Sequence, residues 1–425
     1  MVTGRSSSLF LILFALVFLL PVYSLPGLNR KFSFNGLILN LGSSNYAVIF
    51  DAGSTGSRVH VFSFDKDFNL LPVGKDFELL VTTKPGLSSY ADDPKAAADS
   101  LRPLLQKAEA AVPKQLHSKT PLRLGATAGL RQLEGDEPER ILEAVRELFK
   151  KESTLEYKAE WVSILEGSQE GAYLWVAINY LLGISGKKIL KHSAANAPVA
   201  KDAYVLEKNI VGTTYYVYSH SYLNYGLKAA RAQSLKLSGG PGNPCVTNGY
   251  KGTYDYSGVI YNVSVPLSGT SLRRCRALTG EVLKLDAPCP YRNCSFDGIW
   301  NGGGGDGRKN LFVASYFYDT AVGASIIKQN VPSVKVPPIV YWNAAKVACR
   351  ANVETIKSNF PQIDESDVPF LCMDLVYEYT MLVHGFGVDP LEEITVLKQV
   401  EYKGSLVEAA WPLGCAIEVL SLSSA

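Results

Sequence analysis

The chain has 425 residues, of which 47% are hydrophobic and only 19% are charged. This composition is typical of a folded globular protein and excludes an intrinsically disordered one. The formal net charge of +2 provides no basic field, so we expect no nucleic-acid partner. The length allows two domains of ordinary size or one large domain with two lobes.

The N-terminal segment has the features of a secretory signal peptide. Arg5 precedes an apolar run from Leu9 to Pro21, and a small-residue site ends at Ser24. The run is shorter than the roughly 20 residues that a membrane-spanning helix needs. Residues 1–24 are therefore predicted to be a signal peptide or, as the alternative, a signal anchor, and residues 25–44 a linker. We expect the protein in the secretory pathway, outside the cell or in a Golgi-type lumen.

The seven cysteines agree with export. All of them lie at or after Cys245, and such clustering is typical of local disulfides in an oxidising compartment. Cys289 and Cys294 are close enough to close a tight loop, although spacing does not determine the pairing. Because seven is odd, we expect a free thiol, and the apolar neighbours of Cys415 favour that residue. Asn262 and Asn293 match the N-glycosylation pattern.

In the first half of the chain, strand patterns alternate with helix patterns. In chain order the patterns predict a strand hairpin over 46–64, a helix over 94–111, a strand, turn and helix start over 121–131, an amphipathic helix over 138–150, and a buried helix ending at Gly183. This alternation predicts an α/β core.

The second half is less regular. It begins with an aromatic strand pattern in "TTYYVYSHSYL" and a helix start in "AARAQSLKL". Residues 239–307, rich in Gly, Pro and Cys, are predicted to be a disulfide-stapled insertion with hairpin character. "LFVASYFYDTAVG" and "DLVYEYTMLVHGFG" are predicted to be packed core elements.

The stretch "DAGSTGSR", Asp51 to Arg58, lies between the two strands of the first hairpin. A Gly/Ser/Thr turn in this position can present backbone amides to a phosphate, and an acidic residue at the strand end can hold a hydrated divalent cation. Alone, the pattern more often marks an ordinary turn.

Two further segments carry candidate residues. "GATAGLR" places Thr127 where a strand meets a helix, and its simplest role is that of a helix N-cap. "ILEGSQEGAYLW" places Glu166 and Glu170 at the head of an apolar helix, where acidic residues are favoured in any case. One of these carboxylates can take a proton from an attacking water, and the residues alone do not decide which one.

Four segments carry a resemblance to a known family: "DAGSTGSR", "GATAGLR", "SQEGAYLWVAINYLLG" and "FDGIWNGG…LFVASYFY". In this order they resemble signature regions of the apyrases, the nucleoside triphosphate diphosphohydrolases of the actin-like ATPase superfamily, and the wording is most similar to the plant apyrases. The likeness runs from Tyr46 to the C-terminal "WPLGCAIE".

The resemblance implies an α/β fold of two ribonuclease H-like lobes with the nucleotide cleft between them. Lobe I would comprise residues 45–182, and lobe II residues 183–388 with the stapled insertion. A C-terminal segment, 389–425, would return to lobe I. We expect a monomer.

The resemblance also implies roles position by position. Glu170, and not Glu166, matches the catalytic base, and Thr127 matches a residue near the terminal phosphate and the attacking water. Asp51 matches the carboxylate that holds Ca²⁺ or Mg²⁺ through water. The remaining matches are nucleotide contacts, namely Ser54, Thr55, Gly56, Ser57 and Arg58 at the phosphates and Phe317 and Tyr318 at the base pocket. The implied reaction is hydrolysis of the terminal phosphates of nucleoside tri- and diphosphates.

One segment of the family pattern has no counterpart. In apyrases a second phosphate loop, similar to Asp-Leu-Gly-Gly-Gly-Ser followed by Val-Gln, comes shortly after the "NYLLG" helix. Here no Asp-x-Gly-x-x-Ser stands between Gly183 and Ala195, which predicts a deletion of roughly twenty residues. The glycine run Asn301–Gly307 is interpreted as a surface turn and not as a substitute.

The missing loop keeps other functions open. The first alternative is a nucleotide- or glycan-binding relative that no longer hydrolyses. The second is a sugar kinase of the same superfamily, against which the signal peptide and the cysteines argue.

Overall fold

The computed structural model describes residues 44–53, 55–183, 204–239, 242–256, 258–302 and 311–423. The predicted signal segment, nearly all of the predicted linker and the predicted deletion site after Gly183 lie outside these residues. Ser54 and most of the glycine run Asn301–Gly307 also lie outside them. No helix in the described part of the chain is long and apolar enough to cross a bilayer.

The strands are β1 Asn45–Ala52, β2 Ser57–Phe64, β3 Leu70–Leu71, β4 Leu79–Thr83, β5 Pro121–Ala126, β6 Glu156–Ile164, β7 Val205–Ile210, β8 Thr213–Tyr218, β9 Lys251–Tyr256, β10 Val259–Ser264, β11 Phe312–Val313, β12 Ser333–Val336, β13 Ile394–Leu397, β14 Gln399–Tyr402 and β15 Ser405–Glu408. The helices are α1 Pro94–Asp99, α2 Arg102–Ala111, α3 Ala128–Arg131, α4 Glu137–Glu152, α5 Gly167–Leu181, α6 Leu227–Ser238, α7 Leu272–Val282, α8 Tyr316–Gly323, α9 Ile339–Ala348, α10 Val353–Asn359, α11 Leu371–Thr380 and α12 Trp411–Ser423.

A six-stranded sheet organises the first half. Its order is β3-β2-β1-β5-β6, and β4 pairs with the same edge of β2 as β3, away from β1. β1 and β2 form the predicted antiparallel hairpin, whereas β1, β5 and β6 run parallel. The carboxyl ends of parallel strands meet at one edge of a sheet, so the segments that follow β1, β5 and β6 come together there.

Both faces of this sheet are buried because the strand side chains alternate between them. On β1, Val48 and Phe50 belong to the apolar cluster beneath α1, α2 and α4, whereas Ala47 and Ile49 belong to the cluster beneath α5 and α12. The C-terminal helix α12 packs tightly on α5, since a Cβ atom added to Gly414 would lie 2.0 Å from the carbonyl oxygen of Tyr173. The C-terminal helix therefore packs against an element of the first half, whereas the return of the whole segment 389–425 to lobe I stays a prediction.

The second half has a different construction. Its largest apolar cluster surrounds α11 and includes residues of α6 to α10, and its strands form a three-stranded sheet, β11-β13-β12, and separate hairpins. The disulfides join Cys245 to Cys275, Cys289 to Cys294, and Cys349 to Cys372. The prediction for Cys415 is confirmed, because its thiol is free and buried. The lobe boundaries at 182/183 and 388/389 stay a prediction.

Two sequence predictions need correction. The helix predicted over 94–111 is interrupted between α1 and α2. Pro103, in the first turn of α2, has no N–H to donate to a carbonyl group of the preceding turn. The region 239–307 contains the predicted hairpin, β9–β10, and also the helix α7, which was not predicted. The side chain of Ser271 caps α7 by accepting a hydrogen bond from the backbone N–H of Arg274.

Candidate active site

Three turns converge at the carboxyl edge of the six-stranded sheet. The backbone N–H of Thr127 donates to the Ala52 carbonyl (3.1 Å), and that of Leu165 donates to the Ala126 carbonyl (2.8 Å). These bonds extend the parallel ladder beyond the strand ends. They place the turn after β1, the start of α3 and the start of α5 side by side.

The turn after β1 is the predicted phosphate loop. The Gly53 N–H donates to the Gly56 carbonyl (3.1 Å), which closes the turn. A Cβ atom at Gly56 would lie 2.7 Å from the Thr83 backbone oxygen, so only glycine fits there. Thr55 is exposed to the cleft, whereas Ser57 is fully buried and its Oγ has no hydrogen-bond partner among the described residues.

Asp51 ends β1 directly beneath this loop. The Arg58 Nη1 atom lies 3.4 Å from Asp51 Oδ2, while Oδ1 is buried and has no hydrogen-bond partner in the described part of the chain. Burial raises the pKa of Asp51, although the neighbouring side chains of His60 and Arg58 oppose the shift. A buried carboxylate oxygen beside a phosphate loop is suited to interact with a cation.

The potential ligand side chains around Asp51 indicate how a metal ion could be held. Among the described residues, no group of three or more His, Cys, Asp or Glu side chains is arranged to hold a metal ion directly. A single carboxylate suits Mg²⁺ or Ca²⁺ that keeps most of its waters and also contacts substrate phosphates. The residues present therefore fit a hydrated cation held at Asp51.

Glu170 lies in the first turn of α5. Its Oε2 accepts a hydrogen bond from Arg131 Nη2 at 3.1 Å. Burial raises the pKa of Glu170, the Arg131 charge opposes this shift, and the negative charge of Asp51 adds to it. Glu166 is the N-cap residue of the same helix and its side chain is exposed. The structure thus distinguishes the two carboxylates that the residues alone left equivalent.

Thr127 does not cap α3 with its side chain, which was the simplest role that the sequence suggested. It stands at the N-cap position of α3, but its side chain makes no capping hydrogen bond and is buried at the junction of β5 and α3. This position is next to the phosphate loop, since the Thr127 N–H bonds to the residue that follows Asp51.

A cleft of about 1610 Å³ connects this edge to the second half of the chain. Thr55 and Arg131 line it on one side, and Tyr318 and Asp319 on the other. The two predicted base-pocket aromatics are both buried in the apolar cluster around α11. Of the two, Tyr318 also lines the cleft, and it donates its hydroxyl to the Val331 carbonyl (2.9 Å).

Two residues at the site were not assigned roles from the sequence. Arg131 pairs with Glu170. It is the last residue of the "GATAGLR" motif, so the motif could have indicated that it belongs to the site. Trp411 stands in the quoted "WPLGCAIE" segment, and its indole contributes to the environment of Asp51. A Cβ atom at Gly125 would lie 2.6 Å from the Trp411 ring, so the first glycine of the motif makes room for this indole.

The geometry defines a class of site: a predicted phosphate loop, a buried carboxylate and a candidate base meet at one edge of an α/β sheet beside a cleft. A sequence model of the GDA1/CD39 (nucleoside phosphatase) family matches residues 38–197 and 188–425. The chain belongs to this family, and the predicted resemblance is confirmed. Members of the family generally depend on a divalent cation.

The chain is 50% identical to an apyrase of Solanum tuberosum over 441 residues, covering 98% of this chain and 97% of the relative. It is 45% identical to a nucleoside-triphosphatase of Pisum sativum, covering 89% of this chain and 88% of the relative. The fold is similar to a crystal structure of nucleoside triphosphate hydrolases from Neospora caninum, with a TM-score of 0.58 and 14% sequence identity. The similarity covers 90% of this chain and 93% of that chain. The predicted actin-like fold is confirmed.

The first of these alignments also bears on the missing loop. It spans 441 residues, whereas the whole chain has 425, so at least 16 residues (441 minus 425) of that relative have no counterpart here. This difference agrees with the deletion that the sequence analysis predicts after Gly183.

Proposed function

We propose that the protein is an apyrase that hydrolyses nucleoside tri- and diphosphates to the monophosphate. The observation that carries this proposal is the convergence of Asp51, Thr127 and Glu170 at one sheet edge that opens into the cleft. Phosphoryl transfer to water requires positioning and charge neutralisation, and it needs no covalent nucleophile.

The phosphate loop would bind the terminal phosphates through its backbone amides, with contributions from Ser54, Thr55, Ser57 and Arg58. Glu170 would accept the proton of the attacking water. Its raised pKa makes it a stronger base than an ordinary carboxylate, and the hydrogen bond from Arg131 fixes its orientation. Thr127 would orient that water, because its hydroxyl is not engaged in capping α3.

Asp51 would hold the divalent cation, Ca²⁺ or Mg²⁺, through water. When bound, the cation supplies positive charge that neutralises the phosphate chain. The nucleoside would extend across the cleft toward Tyr318, and Phe317 would support that pocket from within the core.

The test is phosphate release from ATP and ADP with Ca²⁺ or Mg²⁺. Glu170→Gln keeps the shape of the side chain and removes the base, so we expect a loss of roughly 10²–10⁴-fold. Glu166→Gln is the matched control in the same helical turn, and we expect it to leave the rate nearly unchanged. The assignment is wrong if Glu166→Gln abolishes release and Glu170→Gln does not.

The missing second loop favours one other candidate, a relative that binds nucleotides or glycans without hydrolysing them. Each lost phosphate donor typically costs about 2.7–4 kcal/mol in the transition state. Equilibrium binding of a nonhydrolysable nucleotide distinguishes the two. Binding without phosphate release would establish this second function, and release would exclude it.

We also propose that the protein works in the secretory pathway, either secreted or anchored by its N-terminal segment. Its disulfides and the exposed side chains of Asn262 and Asn293 support an oxidising, glycosylating compartment. Relatives with 32% identity include an ectonucleoside triphosphate diphosphohydrolase of Gallus gallus and a guanosine-diphosphatase of Schizosaccharomyces pombe. Glycosidase treatment of the purified chain tests the proposal by a shift in mass.

A further inference from the structure

A hydrogen bond between side chains crosses the cleft and joins the two halves of the chain. The side-chain amide of Gln132 donates through Nε2 to the hydroxyl of Tyr256 at 2.9 Å. Gln132 directly follows α3 in the first half, and Tyr256 is the last residue of β9 in the second half. Both residues line the cleft. This contact therefore connects the two walls between which the proposed substrate would lie.

Tyr256 lies at the tip of the β9–β10 hairpin. In the strand register it pairs with Val259, so only two residues separate it from the returning strand. The turn is supported by the Gly258 N–H, which donates to the Asp255 carboxylate at 3.2 Å. Among the described strands, β9 and β10 pair only with each other. A two-stranded hairpin is marginally stable by itself in water, so contacts outside the hairpin determine where its tip lies.

The strands of this hairpin are fixed to the second half. The Tyr254 hydroxyl donates to the Lys228 carbonyl at 3.0 Å, and the Tyr254 ring packs edge to face with Phe370 at 5.1 Å between ring centroids. On β10, Val263 is buried in the apolar cluster around α11. The hairpin is thus held by the second half along its length, while its tip contacts the first half through Gln132.

The contact at Gln132 is close to the candidate base. The helix α3 is a single turn, and the Gln132 N–H donates to the Gly129 carbonyl at its end (3.4 Å). The residue before Gln132 is Arg131, whose Nη2 donates to Glu170 Oε2 at 3.1 Å. The hairpin tip of one half is therefore bonded to the residue next to the partner of Glu170 in the other half.

We propose that Tyr256 is a positioning residue whose hydrogen bond to Gln132 holds the cleft closed around a bound nucleotide. The inference rests on the proposed function, since it takes the nucleotide to lie in this cleft. A nucleotide that is enclosed between the two walls leaves when the hairpin tip separates from α3. Because a typical hydrogen bond shifts an equilibrium by roughly 2–10-fold, its loss should shorten the time that the nucleotide stays bound.

The experiment measures the release of a fluorescent, nonhydrolysable ATP analogue from the full chain with Mg²⁺, after mixing with excess unlabelled nucleotide. Tyr256→Phe removes the hydroxyl and keeps the ring, and we expect release to become roughly 2–10-fold faster. Tyr261→Phe is the matched control, because it removes a hydroxyl from the other strand of the same hairpin, where the side chain packs against the apolar cluster. We expect it to release the analogue at the parent rate.

A double variant separates this role from a merely structural one. Gln132→Met keeps the length of the side chain and removes the amide donor. If the two residues act through one hydrogen bond, Tyr256→Phe should accelerate release in the parent chain and have no further effect in the Gln132→Met background. A structural role of the Tyr256 hydroxyl would instead give the same acceleration in both backgrounds. Thermal unfolding shows that each variant is folded.

The outcomes distinguish the inference from the function on which it rests. If the parent chain does not bind the analogue, the proposed function fails and the inference fails with it. If the parent binds it and Tyr256→Phe releases it at the parent rate, the inference alone is overturned. Equal acceleration in Tyr261→Phe, or acceleration by Tyr256→Phe that is independent of Gln132, would also overturn it.

Discussion

The two halves of the chain reach stability in different ways. The first half has one continuous sheet of six strands, buried on both faces, whose parallel strands bring three site segments to one edge. In the second half, the described strands form small separate sheets, and helices and disulfides build most of the core. A phosphate-binding edge requires adjacent strands that end together. The described first half has such an edge, and the predicted phosphate loop lies on it.

The first prediction tests whether a second phosphate loop, inserted into the second half, increases hydrolysis. Inserting an Asp-Leu-Gly-Gly-Gly-Ser-Val-Gln hairpin of about twenty residues after Gly183 should raise the rate of phosphate release. We expect roughly 10²–10³-fold for each donor restored. The control insert has the same length with its Asp replaced by Asn. A folded graft whose rate equals that of the parent would show that the loop is not what limits hydrolysis.

The second prediction concerns the disulfide between Cys349 and Cys372, which joins the residue that follows α9 to the first turn of α11. Replacing both by Ser should destabilise the second half by about 2–4 kcal/mol. Removal of the Cys289–Cys294 bridge, which closes a much shorter loop, should cost less. Denaturant unfolding measures both, and hydrogen exchange should accelerate in α9 and α11 before β1 and β5. Uniform acceleration throughout the chain would contradict separate stabilisation of the halves.

The third prediction concerns the close contact of α12 with α5. Gly414→Ala places a methyl group against the Tyr173 carbonyl, so the helices must separate, at a cost of about 1–3 kcal/mol. Because α5 carries Glu170, the rate of hydrolysis should fall as well. Gly280→Ala on α7 is the control, since its nearest neighbour would be Leu285 Cδ1 at 3.7 Å. Equal melting temperatures for the two variants would mean that α12 is not tightly held.

The fourth and smallest prediction is a pH dependence that originates in the second half. Burial raises the pKa of Glu378 well above its ordinary value of 4.5, against the opposing effects of the Thr320 hydroxyl and the Arg231 charge. A raised folded-state pKa gives stability that is complete below pH 4.5 and is lost as the pH rises toward that folded-state pKa.

Glu378→Gln cannot ionise, so its melting temperature should fall less than that of the parent between pH 5 and pH 8. We expect a difference of a few degrees, since about 1 kcal/mol corresponds to roughly 2–4 °C in domains of 150–250 residues. Glu393→Gln, at an exposed position, should follow the parent at every pH. Parallel curves for Glu378→Gln and the parent would exclude ionisation of this group as the cause.

The sequence alone determined a large part of the fold and the identity of the site segments. The alternating pattern of 46–64 specified a hairpin, and the motif order specified the family, because each motif requires particular residues at fixed spacing. Cys415 was identified as the free thiol from its apolar neighbours. The break between α1 and α2 was available in principle from Pro103, whereas α7 was obscured by the Gly- and Pro-rich composition around it.

Only the tertiary structure separated residues of similar local pattern. Glu166 and Glu170 are equivalent as acidic residues at the head of a helix. The fold exposes the first and brings the second against Arg131, because α3 and α5 start side by side. Tyr318 and Phe317 both belong to the apolar cluster around α11, and only the fold shows that Tyr318 also lines the cleft. Residue type and spacing thus fix the available chemistry, whereas long-range packing decides which groups are desolvated together.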